Sequence, residues 1–302
     1  MEVIGNRFRE NGFPLIIDTC IIPNDTTTNF VCSGMQQVKD RFSSPDCSKY
    51  GSIQSCIRTN DLELIGDGSH LTYFEMIGNF SFGGNDYHKS VLMWHNIIKD
   101  LGIKVDYITY HPEREDHKKL WLDLGYTMKP DLGCEWSDGN IGGKCCEMFV
   151  GDLEIGNLVN TLDHSVDVGF GLERLLQVVE GKKRVDETSV FRQDLSPVVR
   201  DHYRALQYLK GNGVFPSYSG RGWIVRLLLR NILKYPEDCK KLIEFSDWIQ
   251  TEKENSEKKL INGRRLWKRH KDKSLEWWQN TFGLTTDEVE MIRRENEGGH
   301  YV

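Results

Sequence analysis

Two arginines, an aspartate and an aromatic ring have the types and spacing of a shared chemistry. Arg58 stands in SCIRTNDLELIG and Phe74 in SHLTYFEMIGNFSFGG. A strand bearing an arginine, a loop, and a strand bearing an aromatic can hold a triphosphate and an adenine together. The guanidinium meets phosphate oxygens with a planar fork, and the ring offers its face to the base. Alone, a strand arginine is more often a salt-bridge partner. The third element is SVDVGFGLERLLQ. Gly169 and Gly171 let backbone approach a ligand closely, Asp167 offers a carboxylate beside them, and Arg174 projects from the first turn of the following helix. The plain alternative is a strand, a glycine turn and a helix with a surface arginine. Combined with the Arg58 segment, the ligand-binding reading is the more specific one.

These residues must be positioned by strands and helices whose signals are local. LIIDTCII, FEMIGNFSF, VDYITY, CEMFVGDLEIGNLV and SVDVGFG are rich in β-branched and aromatic residues and bounded by Gly, Asn, Asp or Pro. Between them NFVCSGMQQVKDRF, HKSVLMWHNIIKDLG and GLERLLQVVEG read as helices, the last closed by Gly181 as a C-terminal cap. After Ser189, DLSPVVRDHYRALQYLKGNG, GWIVRLLLRNILKY, CKKLIEFSDWIQTEKENSEKKL and TTDEVEMIRREN have helical periodicity and few strand signals. The expectation is an α+β domain over residues 1–188, followed by an all-helical domain over 189–302.

A chain of 302 residues can bury a full core. Its hydrophobic content of 38% and charged content of 28% are those of a globular protein, and no segment approaches a membrane span. The opening MEVIGNRFREN lacks the apolar run of a signal peptide, so a cytoplasmic location with reduced thiols is expected. The eight cysteines form no CxxC pair and the nine histidines no HExxH, so no zinc site is expected; adjacent Cys145 and Cys146 read as buried small side chains. A net charge of -6 argues against indiscriminate binding of nucleic acid. The segment SEKKLINGRRLWKRHKDK, from Ser256 to Lys273, is nonetheless strongly basic with Trp267 inside it. It reads either as a phosphate-facing surface or as a solvated helix face.

In this order, NFVCSGMQQVKDRF, CIRTNDLELIG, YFEMIGNFSFG, DVGFGLERL and GVFPSYSGRGWIVRLLLR resemble the successive motifs of the alanyl-tRNA synthetases, a class II synthetase family. The resemblance covers roughly residues 1 to 235 and continues more weakly to about residue 295. It implies an antiparallel class II sheet flanked by helices, and a two-step reaction in which alanine is activated by ATP and transferred to tRNA. By matching position, Arg58 would hold the α-phosphate and the carboxylate, Phe74 would stack on adenine, Arg174 would bind the distal phosphates, and His70 would lie at the ATP site. Mg2+ would accompany the ATP, with Glu154 as its ligand. Asp167 would pair with the substrate ammonium and Asn157 would lie near it, while Trp136 and Gly169 would shape the small side-chain pocket. The resemblance stops short of the family's editing and C-terminal domains, so clearance of mischarged product is not expected of this chain.

The matches fail at several places. The family's Arg-His-His is here Ser69, His70 and Leu71, removing one phosphate-reaching arginine, and its GPCGPC-like loop is shortened to GGKCC at Gly142 to Cys146. The tRNA-reading asparagine and aspartate of the family are replaced by Gly220, beside Arg221, and Asn280. Glycine has no side chain to read a base edge. The basic Arg264, Arg265, Lys268 and Arg269 keep an RNA acceptor in view. Three readings stay open: a minimal alanine-tRNA ligase, a paralogue with another acceptor (a carrier protein, peptide or small molecule), and an inactive binding protein.

Overall fold

The computed structural model describes residues 1–24, 27–43, 45–137, 139, 141–162 and 164–296, with the side chains at 280 and 287 outside that description. The chain divides into two compact units, Met1–Ile224 and Val225–Val302.

The first unit is built on a nine-stranded sheet. Its elements are α1 (Glu2–Glu10), β1 (Leu15–Asp18), α2 (Asp40–Ser43), β2 (Lys49–Ile57), β3 (Tyr73–Ser81), α3 (Tyr87–Asp100), β4 (Tyr107–Tyr110), α4 (Glu115–Asp123), β5 (Met128–Pro130), β6 (Glu135–Ser137), β7 (Gly142–Val150), β8 (Leu153–Thr161), β9 (Ser165–Gly171), α5 (Leu172–Val179) and α6 (Pro197–Gly211). The strand order is β1-β2-β3-β9-β8-β7-β4-β5, with β6 paired to β7. The centre is antiparallel, as expected, while β1 with β2 and β4 with β5 are parallel.

One sheet face is covered by α1 and α3, whose Phe8 and Trp94 pack edge-on at 5.8 Å. Trp94 also stacks on Phe170 of β9 at 3.9 Å. Trp94 Nε1 donates to buried Asn79 at 2.8 Å, so that indole N–H keeps a partner inside the apolar layer.

Three local expectations differ from what is observed. CEMFVGDLEIGNLV is not one strand but the hairpin β7–β8, because Gly151 turns the chain at φ +58. GGKCC is not a loop but the start of β7. NFVCSGMQQVKDRF is not a helix: it holds a 3-10 turn at Gln36–Val38 and the short α2. Before that turn Val31 is extended, its N–H donating to Ile21 at 2.9 Å and its carbonyl accepting from Ile57 at 2.8 Å. Gly181 does close α5, at φ +63 with its N–H on Val178.

α6 belongs to the first unit, although the sequence signal placed it after the expected division at residue 188. Asp201 accepts the backbone N–H of Thr72 at 2.8 Å, which ties α6 to the start of β3.

Helix α7 (Gly220–Leu233) crosses the division between the units. Within the second unit lie α8 (Pro236–Cys239), α9 (Ser246–His270), α10 (Leu275–Phe282) and α11 (Thr286–Asn296). Its core gathers Trp267, Trp278, Leu284 and Ile292. Gly263 lets α9 and α11 approach: a Cβ there would meet Ile292 at 2.7 Å.

Candidate active site

Strand alternation puts every second side chain on one face. In the β3–β9 register Met76 faces Gly171, Gly78 faces Gly169 and Phe80 faces Asp167; on β8, Asn157 faces Gly169. Phe74, Asp167, Gly169 and Asn157 therefore share one face, opposite the layer made by α1 and α3. A cavity of about 380 Å³ lies there, within the range of small-molecule sites. Arg58, His70, Phe74, Trp136, Glu154, Asn157, Asp167, Gly169 and Arg174, all of them candidates from the sequence, are on its wall.

Arg58 follows the last residue of β2 and extends its ladder, donating its backbone N–H to Thr72 at 2.9 Å. Its Nε donates to the Cys32 carbonyl at 3.1 Å. The guanidinium carbon then lies 4.8 Å from the centroid of the Phe74 ring, a cation–π contact. On the other side, Arg174 in the first turn of α5 donates Nη1 to the Glu154 carbonyl at 2.8 Å and lies 3.4 Å from the Glu154 carboxylate. Both arginines are anchored through a single nitrogen and line the cavity. His70 is held through Nδ1 by Asp67 at 2.6 Å.

Asp167 differs from the cavity's other carboxylates that are not fully exposed, Glu147, Glu154 and Glu173, each of which has a side-chain partner. Neither it nor Asn157 makes a side-chain hydrogen bond or ion pair among the described residues. Half-buried on the cavity wall, Asp167 has its carboxyl pushed up to about 7 by burial. Gly169 beside it leaves space: a Cβ there would lie 2.9 Å from Met76 Sδ and 3.8 Å from Asn157 Oδ1. Glu147, also on the wall, is pushed up by burial and then by the neighbouring carboxylates of Glu154 and Asp131.

Two contributors escaped the sequence reading. The first is Ser33, Gly34 and Met35, which line the cavity from the segment read as helix; Gly34 N–H meets Met76 Sδ at 3.2 Å. Gly34 inside the supposed helix was the available signal. The second is a buried ion-pair network beneath the wall. Glu173, 2% exposed, accepts the Glu75 N–H at 3.2 and 3.1 Å and Arg204 Nη1 at 2.5 Å. Arg204 lies 3.5 Å from Glu75 and over the Tyr73 ring at 4.7 Å. The network ties Phe74's strand, Arg174's helix and α6 together.

The remaining candidates lie away from the cavity. Gly220 opens α7 at φ +58 with nothing within 4 Å of a built Cβ, and Arg221 Nε donates to the Asn29 carbonyl at 2.6 Å. On α9, Arg264 forms a two-pronged pair with Glu295 at 2.7 and 2.8 Å. Arg265, Lys268 and Arg269 are exposed and make no ion pair among the described residues. Trp267 is no part of that surface, being 3% exposed and stacked on Trp278 at 5.4 Å. The side chain of Asn280 lies outside the described residues.

Residues 6–132 match the family described as tRNA synthetases class II (A). An alanine–tRNA ligase of Bradyrhizobium diazoefficiens is 31% identical over 305 residues, spanning 77% of this chain and 34% of that protein. Those of Dehalococcoides mccartyi and Rhodopseudomonas palustris are 28% and 31% identical, over 76% and 77% of this chain and 34% of each relative. The chain thus spans about a third of the curated relatives' length (34%). Among solved structures, a pyrrolysyl tRNA synthetase of Desulfitobacterium hafniense aligns with TM-score 0.42 and 17% identity, over 62% of this chain and 70% of that one.

Proposed function

Because the chain carries a class II tRNA synthetase domain and is homologous to alanine–tRNA ligases, we propose that it is a ligase that activates alanine with ATP and passes the alanyl group to tRNA. The observation that carries the reading is the Asp167 carboxylate, unpaired among the described residues and set beside Gly169 in the cavity that Arg58, Phe74 and Arg174 also line. A buried carboxylate without a cation is stabilised by a ligand that brings one. The α-ammonium of an amino acid is such a group, and Asn157 adds a polar atom next to it.

In the first step a substrate carboxylate oxygen attacks the α-phosphorus of ATP. The new C–O–P bond forms as the bond to the β-phosphate oxygen breaks, and pyrophosphate leaves. Such a displacement needs positioning and charge neutralisation more than covalent help. Arg58 neutralises the α-phosphate and aligns the attacking carboxylate, Phe74 offers its face to adenine, and Arg174 holds the distal phosphates. Class II synthetases use Mg2+ with ATP. The half-exposed Glu154 carboxylate fits such a hard cation by its oxygen donors, and the ion when bound neutralises phosphate charge. In the second step a hydroxyl of the acceptor attacks the alanyl carbonyl, and AMP leaves.

A second reading keeps the adenylate and changes the acceptor to a carrier protein, peptide or small molecule. Gly220 favours it, because a glycine standing free in space has no group to read a base. The exposed Arg265, Lys268 and Arg269 favour tRNA.

ATP–pyrophosphate exchange with each proteinogenic amino acid, followed by aminoacylation of total tRNA, tests both. Alanine-dependent exchange with charging supports the first reading and exchange without charging the second. Absence of exchange with every amino acid refutes both.

A further inference from the structure

The sheet gathers three donors that are far from any zinc spacing in the sequence. Cys134 directly precedes β6 and Cys145 lies on β7, where its N–H donates to the Cys134 carbonyl at 2.9 Å. The two residues thus continue the register in which Glu135 faces Lys144. Both thiols are buried, at 0% and 1% exposure. Two positions on along β7, on the same face, Glu147 brings a carboxylate to 4.0 Å from Cys145 Sγ. The two sulfurs and a carboxylate oxygen all lie within 4.8 Å of one another.

We propose that Cys134, Cys145 and Glu147 form a site for a divalent transition metal of the zinc type, held by three protein ligands with its fourth position open to the cavity. Two thiolates and a carboxylate suit a borderline-soft, four-coordinate ion, and three protein ligands leave one position free. Zn–S bonds of about 2.3 Å in tetrahedral geometry place two sulfurs about 3.8 Å apart, so small side-chain rotations close the site. The charge balance asks for a cation: no basic group pairs with Glu147 among the described residues, and Glu154 shares its cavity. Glu147 lines the cavity with Trp136 and Val159, and those two pack on the cysteines, so the open side is the cavity side. Binding would displace the two thiol protons to solvent.

The test uses the full reduced chain, stripped with a chelator and titrated with Co2+. One equivalent should give a thiolate-to-cobalt charge-transfer band and the intense visible absorption of four-coordinate cobalt, both removed by Zn2+. Cys134→Ser and Cys145→Ser should abolish the band. Glu147→Gln, on the cavity wall and less exposed to folding failure, should weaken Co2+ binding by at least about tenfold, the lower end of what even indirect support of a ligand is worth. Absence of the band, or its persistence in the cysteine variants, overturns the proposal. So does reduced protein that binds no metal while air-oxidised protein shows a Cys134–Cys145 disulfide by peptide mass.

Discussion

The Arg58 guanidinium lies 4.8 Å from the centroid of the Phe74 ring, and both residues border the cavity. One face of the Phe74 ring thus carries a cation, which Arg58 Nε anchors on the Cys32 carbonyl at 3.1 Å. Under the proposed reading, one nucleotide engages both side chains. Arg58→Ala should lower kcat/KM for pyrophosphate exchange by about 10²–10³. Phe74→Leu should chiefly raise KM for ATP, by the stacking free energy of about 1–3 kcal/mol. Near-normal exchange by Arg58→Ala would remove that residue from the mechanism.

If Asp167 holds the substrate ammonium as proposed, alanine binding depends on pH. The Asp167 carboxyl is pushed up to about 7 by burial, and the ionised form is the one that pairs with an ammonium. The KM for alanine should therefore fall as pH rises from about 6 to 8, reporting on free protein. Asp167→Asn should raise that KM sharply and flatten the profile; an unchanged KM at pH 8 counts against the assignment.

The same shift has a stability consequence. The folded pKa lies above the unfolded value of about 3.9, so the folded state binds more protons between these limits. Stability contributed by this group is full below about pH 4, declines as pH rises toward 7, and stays reduced above. Asp167→Asn should raise Tm relative to the native chain at pH 8 and by much less at pH 5. The upper bound of the gain is about 4 kcal/mol. Equal shifts at both pH values would show that the carboxyl is not buried in this sense.

Under the proposed reading, Gly169 sets the depth of the side-chain pocket near Asn157. In Gly169→Ala the new methyl would lie 2.9 Å from Met76 Sδ and 3.8 Å from Asn157 Oδ1. Exchange with alanine should weaken by about 1–3 kcal/mol, the scale of one methyl group, and exchange with glycine by less. Parallel losses for the two amino acids would place their side chains elsewhere.

Arg204 is a positioning residue for β3 and α5. Arg204→Met leaves Glu173 buried with its charge uncompensated, which should cost about 3–5 kcal/mol of stability by urea unfolding. Adding Glu173→Gln should restore part of that loss. No recovery in the double variant would mean that the two side chains are not coupled.

Arg265, Lys268 and Arg269 differ from Arg264 in having no acidic partner among the described residues. Replacing the three with Ala should weaken tRNA binding and reduce the slope of log K against log salt by about 3, leaving exchange untouched. Arg264→Ala should do less, because Glu295 already holds that guanidinium. Equal binding by the triple variant and the native chain returns the helix face to solvent.

What could be read in the sequence is what lies within one element. The alternation of SVDVGFG and its step into LERLLQ place Asp167, Gly169 and Arg174 on β9 and α5, because period and turn chemistry are properties of contiguous residues. FEMIGNFSFG placed Phe74 in the same way. Pairing between distant segments is not periodic, and it was decided by the tertiary structure. The cysteines at 134 and 145 meet because β6 and β7 share a register, and Arg204 reaches Glu173 because α6 packs on β3, not because either spacing announces it. Trp267 stands among basic residues in sequence and inside a tryptophan core in space, since a helix turns neighbouring residues to different faces and the packing of α10 and α11 selects the buried one. Local chemistry chose the elements; register and packing chose their company.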